Sequence, residues 1–271
     1  MEGWKCYLGI GLALVLGILA SSVYYQYNGD DVTVPVDRET LYQVSTVDAL
    51  MQGVFGGVMP VGDLKPHGDF GIGTFDALEG EMIVLNGVVY QATSDGRIHE
   101  VEDSHTTPIA VVTYFDRDFT IVTSIPMNLS SFDSDMADRL PSRNMIYAVR
   151  MQGTFPTMKV RAIPAQSEPY PTLAEAAQEQ VVYTYTNTTG TVVGFYTPIF
   201  FTGLNVAGYH LHFLSDDLQT GGHILDLVVP AGATVEYDIT PGFYMLLPTS
   251  GPFTGVDLSQ DLSEELAKIE K

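Results

Sequence analysis

Three of the six histidines in this chain have a spacing that suits a metal site. In a β-strand, side chains two residues apart share one face, so His210 and His212 would project together while Leu211 points to the other side. Aspartates and glycines between residues 216 and 222 predict a hairpin, which would return His223 on the neighbouring strand, opposite the pair. Three converging imidazoles with an open fourth position are typical of a catalytic zinc, because structural zinc is closed by four ligands.

The remaining histidines, His67, His99 and His105, lie in polar, turn-like surroundings, and we interpret them as surface residues. The single cysteine, Cys6, excludes an intramolecular disulfide and a thiolate metal cluster. The ligands of a metal in this chain must therefore be nitrogen and oxygen atoms.

Two charged residues stand in apolar or glycine-rich surroundings, where an unpaired charge is costly unless it is used. Glu81 opens an apolar run, and Arg161 has the guanidinium geometry that holds a carboxylate through two parallel hydrogen bonds. An exposed ion pair is the alternative for Arg161. Thr74, in a glycine-rich segment, offers a hydroxyl donor or belongs to a structural turn. These residues predict a mononuclear metal enzyme that acts on a small carboxylate.

Composition narrows the range of partners. With 271 residues, of which 45% are hydrophobic, the chain has enough apolar material for a full core. Its formal net charge is -21, from 33 acidic and 12 basic residues. Because phosphate binding depends on clustered Lys and Arg, this balance opposes a DNA or RNA partner and anionic membrane surfaces.

The N-terminal residues 1–28 have the pattern of an export segment. Lys5 precedes an apolar run over residues 7–23, and small residues at 20–22 suit cleavage by a signal peptidase. The run also approaches the length of a membrane-spanning helix, so an uncleaved N-terminal membrane anchor is the alternative to a signal peptide. In both cases the body of the protein is expected outside the cytoplasm, extracellular or at the cell surface.

Residues 32–165 predict a first half made of a helix followed by strands. Thr46 and Ser45 are suited to cap a helix over 47–54, and Asn86-Gly87 is the strongest short-range hairpin signal in the chain. A loop or short helix is expected over 126–142. The strands predicted in this half cover residues 82–85, 88–91, 109–115 and 145–155.

Residues 166–271 predict a second half with the same order of elements, which carries the metal histidines and a C-terminal tail. A helix over 173–179 is opened by Pro171-Thr172, and the tail over 258–271 has the spacing of an amphipathic helix. The strands predicted here cover 181–186 and 191–196, joined by a turn at 187–190, then 209–214, 223–229, 234–239 and 242–247. The expected fold class is α+β, with two packed, mixed, mostly antiparallel β-sheets from two related halves.

Several blocks of sequence, in order from residue 44 to the C-terminus, closely resemble the α-acetolactate decarboxylases. The blocks are His67-Gly-Asp-Phe-Gly-Ile-Gly-Thr-Phe, Gly153-Thr-Phe, Arg161-Ala-Ile-Pro, Pro169-Tyr-Pro, Gly208-Tyr-His-Leu-His-Phe and Gly221-Gly-His. The resemblance implies a zinc-dependent carboxy-lyase that converts 2-acetolactate to acetoin and carbon dioxide through a metal-stabilised enediolate. It also implies a two-sheet α+β fold and a homodimer.

The resemblance also implies roles for individual residues. The family's zinc ligands and active-site residues fall on His210, His212, His223, Glu81, Arg161 and Thr74. Its C-terminal glutamate, which approaches the metal, falls on Glu270, with Glu264 and Glu265 as alternatives. Arg161 is expected either to orient the departing carboxylate or to deliver a proton, and Glu81 is expected to manage proton transfer to the enediolate carbon.

Two other classes of protein share parts of this pattern. A non-catalytic metal-binding or assembly module carries a similar HLH…GGH strand pair, but it would not explain Glu81 or Arg161. A cupin-like metal enzyme also uses two histidines at this spacing and a later histidine, but cupins place a glutamate a few residues after the pair. Here the corresponding residues are Ser215, Asp216 and Asp217.

Overall fold

Two seven-stranded β-sheets make up most of the regular secondary structure in the structure, a computed structural model that describes residues 36–270. The first sheet has the order β16-β1-β8-β3-β4-β5-β6. Its strands are β1 (Thr40–Val44), β3 (Phe70–Thr74), β4 (Glu81–Leu85), β5 (Val88–Ala92), β6 (Ile98–Glu100), β8 (Ala110–Thr113) and β16 (Gly242–Leu246).

The second sheet has the order β10-β14-β13-β12-β11-β15-β9. Its strands are β9 (Phe119–Val122), β10 (Met127–Asn128), β11 (Tyr147–Ala162), β12 (Val181–Thr197), β13 (Gly208–Ser215), β14 (Gly221–Val229) and β15 (Thr234–Ile239). A separate two-stranded sheet joins β2 (Met59–Pro60) and β7 (Thr106–Thr107). The pairing of β1 with β16 is parallel, and the other pairings within the described residues are antiparallel.

The helices are short and surround the sheets. The α-helices are α1 (Val47–Met51), α2 (Val61–Leu64), α3 (Leu129–Arg139), α4 (Leu173–Ala176) and α5 (Ser263–Ile269). Single turns of 3₁₀ helix occupy Lys65–His67, Asp76–Leu78, Ala177–Glu179, Ile199–Phe201 and Pro252–Thr254. The expected α+β class with mostly antiparallel sheets is confirmed.

An apolar layer holds the two large sheets together. It takes side chains from both sheets, among them Leu41, Ile72, Ile83, Val193, Phe195 and Leu214. A second cluster lies on the far side of the second sheet, where Phe132 and Met136 of α3 pack against the strands. Strands β11 to β14 of the second sheet are therefore buried on both faces for part of their length.

Strands β11 to β14 close into a ring. β11 pairs with β12, β12 with β13, and β13 with β14, and β14 then returns to pair with β11, which places Arg161 opposite His223. Gly222 permits this closure, because a Cβ atom there would lie 2.5 Å from the carbonyl oxygen of Arg161. Its φ of +143° is also a conformation that residues with side chains rarely adopt.

Many local predictions are confirmed, with shifted ends. Thr46 caps α1 by accepting a hydrogen bond from Ala49 N, but the helix ends at Met51 because the chain turns at Gly53, whose φ is +80°. The Asn86-Gly87 hairpin forms with φ values of 52° and 78°, as its turn type requires. Over 126–142 the chain forms a helix, α3, rather than a loop.

The predicted hairpin about residues 187–190 is wrong. Val181–Thr197 is one continuous strand, β12, and its register with β11 is the same on both sides of Asn187. Asn187 has a φ of 51°, so the left-handed conformation expected of a turn is present. Fifteen pairs of residues with β11 keep the strand continuous, because long-range pairing outweighs the local preference.

The predicted glycine turn between the histidine strands is also shifted. Gly221 and Gly222 belong to β14, and the chain turns over residues 216–220 instead. Ser215 forms this turn by accepting hydrogen bonds at its hydroxyl from the backbone N–H groups of Gln219 and Thr220.

Arg38–Lys271 forms one compact unit. Strands from both sides of residue 165 mix in each sheet, since β9 to β11 lie in the second sheet and β16 lies in the first. The division into halves at 32–165 and 166–271 stays a prediction. The predicted export segment over 1–28 lies outside the described residues, and none of the helices between residues 36 and 270 has the length and apolar character needed to cross a membrane.

Candidate active site

Cross-strand pairing brings together the residues that are predicted to bind a metal. His212 lies directly opposite His223, and His223 lies directly opposite Arg161. These three side chains therefore form one row across β13, β14 and β11, and His210 lies two residues along β13 on the same face. The candidate ligand nitrogens of the three histidines all lie within 4.8 Å of one another.

The imidazole of His212 has its orientation set by the first sheet. Its Nδ1 atom lies 2.8 Å from the carbonyl oxygen of Met82, and because a carbonyl oxygen only accepts, Nδ1 carries the proton. The lone pair then resides on Nε2, which points toward the other histidines. This is the arrangement by which a backbone carbonyl commonly orients a metal-binding histidine.

Burial keeps the three imidazoles neutral in the metal-free protein. It lowers the pKa of His210 to about 3, with the positive charge of Arg161 adding to the effect. The pKa values of His212 and His223 are also lowered well below the ordinary value, first by burial and then by the neighbouring histidines and Arg161. Neutral imidazole is the form that binds metal, so the site is ready for a cation at neutral pH.

Glu270 comes from the C-terminal end of the chain and enters the same site. Its Oε2 atom lies 3.6 Å from His210 Nε2 and 3.5 Å from His223 Nε2, and its Oε1 atom lies 3.2 Å from Arg161 Nη2. Helix α5 positions it by burying Leu266 and Ile269. The alternatives Glu264 and Glu265 are exposed, so the structure brings Glu270 to the histidines.

Arg161 is a buried cation with an incomplete set of partners. The residue is 4% exposed, so the alternative of an exposed ion pair does not hold. Besides Glu270, its guanidinium donates a long hydrogen bond of 3.4 Å to Gln180 Oε1. Its Nε atom has no hydrogen-bond partner among the described residues. A buried guanidinium with donors to spare is suited to bind a further carboxylate.

Glu81 approaches the histidines from the first sheet. Its Oε2 atom lies 3.6 Å from His212 Nε2. Burial raises the pKa of Glu81 to about 7, although Arg161 opposes that rise. A carboxyl group with this pKa can both hold and release a proton near neutral pH, which is the property required of a general acid.

Thr74 lies directly opposite Glu81 on β3 and is buried. Its hydroxyl donates a hydrogen bond of 2.7 Å to the carbonyl oxygen of Gly80. The proton of Thr74 is therefore committed to the backbone, and its oxygen remains able to accept a hydrogen bond. This contact also fixes the turn that leads into Glu81.

All these residues line one small space, which we call the metal cavity, of about 60 Å³. Its polar lining consists of Thr74, Glu81, Arg161, Asn205, His210, His212, His223 and Glu270. A larger space of about 590 Å³, the outer cavity, lies between α3, α5 and β13. Asn205, Val206 and Glu270 line both cavities and so form the boundary between them.

The donor set fits a divalent metal ion. The Nε2 atoms of His212 and His223 are buried and have no hydrogen-bond partner among the described residues. Buried polar atoms of this kind are rare in native proteins unless a ligand satisfies them. Imidazole nitrogens with a carboxylate nearby and no thiolate suit zinc or a similar transition metal.

The remaining predicted surface histidines behave differently from one another. His99 and His105 are exposed, whereas His67 is half-buried and stacks on Tyr42 with ring centroids 3.7 Å apart. Asn205, Gln180 and the carbonyl of Met82 were not predicted from the sequence to belong to the site. For Asn205 a signal existed, since it is a polar residue between Leu204 and Val206 just before the histidine pair.

Comparison with known proteins gives a consistent result. A family model described as Alpha-acetolactate decarboxylase matches residues 41–260. The alpha-acetolactate decarboxylase of Methanosarcina mazei is 49% identical over 233 residues, covering 86% of this chain and 81% of the relative. That of Methylococcus capsulatus is 42% identical over 230 residues, covering 85% and 88% respectively.

A solved structure agrees with this similarity. The X-ray crystal structure of alpha-acetolactate decarboxylase from Bacillus subtilis strain 168 superimposes with a TM-score of 0.82 at 34% sequence identity. The match covers 85% of this chain and 99% of the other. Fold and sequence therefore point to the same group of enzymes.

Proposed function

The chain belongs to the α-acetolactate decarboxylase family, and we propose that it is a zinc-dependent carboxy-lyase that converts 2-acetolactate to acetoin and carbon dioxide. The observation that carries the zinc dependence is the pair of buried, unpartnered Nε2 atoms on His212 and His223. A non-catalytic module or a cupin-like enzyme would not account for a match to decarboxylases over residues 41–260.

His210, His212 and His223 would hold the zinc ion, with Glu270 beside them. When bound, zinc supplies Lewis acidity, which stabilises negative charge on the hydroxyl and ketone oxygens of the substrate. Removing carbon dioxide breaks a carbon–carbon bond, and the electron pair moves toward the ketone oxygen. Burial of the site strengthens this electrostatic stabilisation, because water is excluded from it.

Arg161 would bind the substrate carboxylate. It is the cation that lines the metal cavity, and its Nε atom has no protein partner among the described residues. Glu270 now pairs with Arg161 Nη2, so substrate binding would share or displace that contact. Guanidinium also orients the carboxylate, which keeps the breaking bond aligned with the ketone.

Glu81 would deliver the proton that completes the reaction. After carbon dioxide leaves, the carbon that carried it must take up one proton to give acetoin. Glu81 holds a proton near neutral pH because burial raises its pKa to about 7. Water restores the proton after each turnover, so the sum of the reaction is acetolactate plus a proton giving acetoin and carbon dioxide.

Two further expectations extend this proposal. We infer from the apolar segment in residues 1–28 that the enzyme is exported, either released or held at the cell surface. The family resemblance also suggests a homodimer. Both can be measured on the native protein, by N-terminal sequencing of the mature chain and by light scattering.

The decisive experiment measures acetoin formed from racemic acetolactate by the purified protein. The protein is assayed as isolated, after removal of metal by a chelator, and after zinc is added back. We expect activity to disappear with the metal and to return with zinc. Activity that survives complete removal of metal would exclude the zinc dependence, and a zinc-loaded protein that forms no acetoin would exclude the reaction.

A further inference from the structure

We propose that Asn205 is a substrate-binding residue, which donates one amide N–H to the carboxylate of the substrate. This inference rests on the proposed function and adds a residue to it. Asn205 is 5% exposed and lies at the boundary of the metal cavity and the outer cavity. A buried amide in this position faces the space where substrate binds.

The hydrogen bonds of Gln43 determine which atom of the Asn205 amide, Nδ2 or Oδ1, faces Gln43. Gln43 Nε2 donates to the carbonyl oxygens of Ser45 and Leu204, at 2.8 and 2.7 Å. Because carbonyl oxygens only accept, the Oε1 atom of Gln43 must face Asn205. Asn205 Nδ2 donates to this oxygen at 2.9 Å. The other end agrees, since Asn205 Oδ1 accepts from Val206 N at 2.7 Å.

One N–H group of the Asn205 side chain is left without a partner. An asparagine side chain has two N–H donors, and Asn205 uses one of them for Gln43. The second N–H has no hydrogen-bond acceptor among the described residues. Leaving a buried donor unpaired is unfavourable, so such groups usually serve a ligand or a bound water.

The amide is also held rigidly before any ligand arrives. The loop that carries it is attached to α1 through hydrogen bonds from Val47 N to Leu204 O and from Asp48 N to Gly203 O. Gln43 is 0% exposed and does not line the metal cavity. A fixed donor loses little conformational entropy when it binds, which favours its use in recognition.

The substrate carboxylate is the group that the free N–H of Asn205 would bind. In the proposed function, zinc would stabilise negative charge on the hydroxyl and ketone oxygens, and Arg161 is the cation that lines the metal cavity. A carboxylate accepts about four hydrogen bonds, which is more than the unpaired donors of Arg161 supply. A neutral amide can add to this set without the desolvation that a second cation would require.

This assignment predicts a specific kinetic signature. The carboxylate loses its charge as carbon dioxide forms, so a hydrogen bond to it is stronger in the bound substrate than in the transition state. Removing such a bond weakens substrate binding more than it slows the chemical step. We therefore expect the KM to rise with little change in kcat.

The test compares Asn205→Leu with Gln43→Met in the full-length, zinc-loaded protein. The first variant removes the donor and keeps the approximate size, and the second removes the anchor without changing the cavity lining. We measure kcat and KM, zinc content, melting temperature, and calorimetric binding of 2,3-dihydroxy-2-methylbutanoate, an unreactive acid with a hydroxyl in place of the ketone. Asn205→Leu should raise KM and weaken the acid's binding about tenfold, the loss of one hydrogen bond to a charged group.

Gln43→Met should leave both values within about threefold of the wild type, although both variants lower the melting temperature. Equal increases of KM in both variants, with no further increase in the double variant, would overturn the proposal and make Asn205 only an anchor for its loop. Asn205→Ser, which keeps a hydroxyl donor, provides a second test and should give an intermediate KM.

Different results would overturn the proposed function and the role of Asn205. A wild-type protein that forms no acetoin overturns the proposed function itself. Acetoin formation by the wild type, together with an unchanged KM and unchanged acid binding in Asn205→Leu and Asn205→Ser, overturns only the role of Asn205.

Discussion

The two faces of the ring formed by β11 to β14 bury different kinds of side chain. One face carries Leu211, Phe213 and Ile224, which are almost fully buried in an apolar cluster. The other face carries His212 and His223, which are equally buried but keep unpartnered nitrogens. Neighbouring residues of the same strands therefore form an apolar core on one side and the proposed metal site on the other.

Burial alone does not distinguish a hydrophobic core from a functional site. Leu211 is 2% exposed and His212 is 1% exposed, and they are adjacent in the chain. The two side chains differ in what they gain on burial. The apolar atoms of Leu211 gain van der Waals contacts, whereas the Nε2 atom of His212 loses its hydrogen bonds to water and gains none from the protein. Variants of the two faces should consequently affect different observables.

The largest effect is expected from His212→Ala. The variant removes a proposed zinc ligand whose imidazole is oriented by the carbonyl oxygen of Met82, so zinc binding and acetoin formation should both fall to background. Zinc content by mass spectrometry and turnover measure the effect. His99→Ala, which removes an exposed histidine, is the matched control and should behave as the wild type. Full zinc occupancy in His212→Ala would contradict the assignment of the site.

Glu81→Gln should preserve the metal and lose the chemistry. Only the acid function of the side chain is removed, so we expect kcat to fall about 10²–10⁴-fold with unchanged zinc content. Steady-state kinetics and metal analysis of the same sample test this. Glu79→Gln changes an exposed carboxylate in the same segment and serves as the control. Turnover at the wild-type rate would exclude Glu81 as the proton donor.

Phe213→Ala probes the apolar face. The residue is 0% exposed, and its loss should lower the free energy of unfolding by about 3–5 kcal/mol. Zinc stoichiometry and kcat should stay close to wild type below the melting temperature, because the side chain points away from the histidines. Denaturant unfolding checks the prediction, with Val122→Ala on the exposed surface as control. A selective loss of zinc at unchanged stability would mean that the two faces are not independent.

The smallest effect concerns the pH dependence of stability in the metal-free protein. Burial raises the pKa of Glu81 from its ordinary value of 4.5 to about 7, so the folded state binds this proton more tightly than the unfolded state. The contribution of Glu81 to the free energy of unfolding of the metal-free protein is therefore highest at low pH, where Glu81 is protonated in both states. It falls as the pH rises from 4.5 through about 7. The variant Glu81→Gln lacks the effect.

We therefore expect Glu81→Gln to match the wild type near pH 4 and to be more stable by up to about 3 kcal/mol above pH 8. Unfolding of both metal-free proteins by denaturant at several pH values measures the difference. A stability difference that does not change with pH would show that Glu81 titrates normally. Together with the loss of kcat, the expected result would show a carboxylate kept for function at a cost in stability.

Local patterns in the sequence predicted much of the site. Strand alternation indicated that His210 and His212 share a face, and the turn signal indicated that His223 returns opposite them, as the register confirms for His212 and His223. Helix caps at Thr46 and Thr172 and the Asn86-Gly87 hairpin were also predictable. These features depend on backbone conformation and hydrogen bonds between residues a few positions apart. A short segment of sequence is therefore enough to predict them.

The same local reasoning failed where distant strands compete with it. Residues 187–190 have the composition of a turn, yet β12 continues through them because β11 pairs with it along its length. Glu270 was not distinguishable from Glu264 or Glu265 by sequence, since the choice depends on how α5 docks. Asn205 has only a weak signal, a single polar residue in an apolar segment.

Residue types and their spacing were enough to identify the chemical inventory: imidazoles at strand spacing, one carboxylate and one guanidinium in apolar surroundings, and the family to which these residues belong. Only the tertiary structure decided that Arg161 stands beside His223, that Glu81 and Met82 reach the histidines from another sheet, and that Glu270 is the C-terminal carboxylate. The reason is that these contacts join residues far apart in the chain. Strand register and sheet packing set them, and both depend on the free energy of the whole fold.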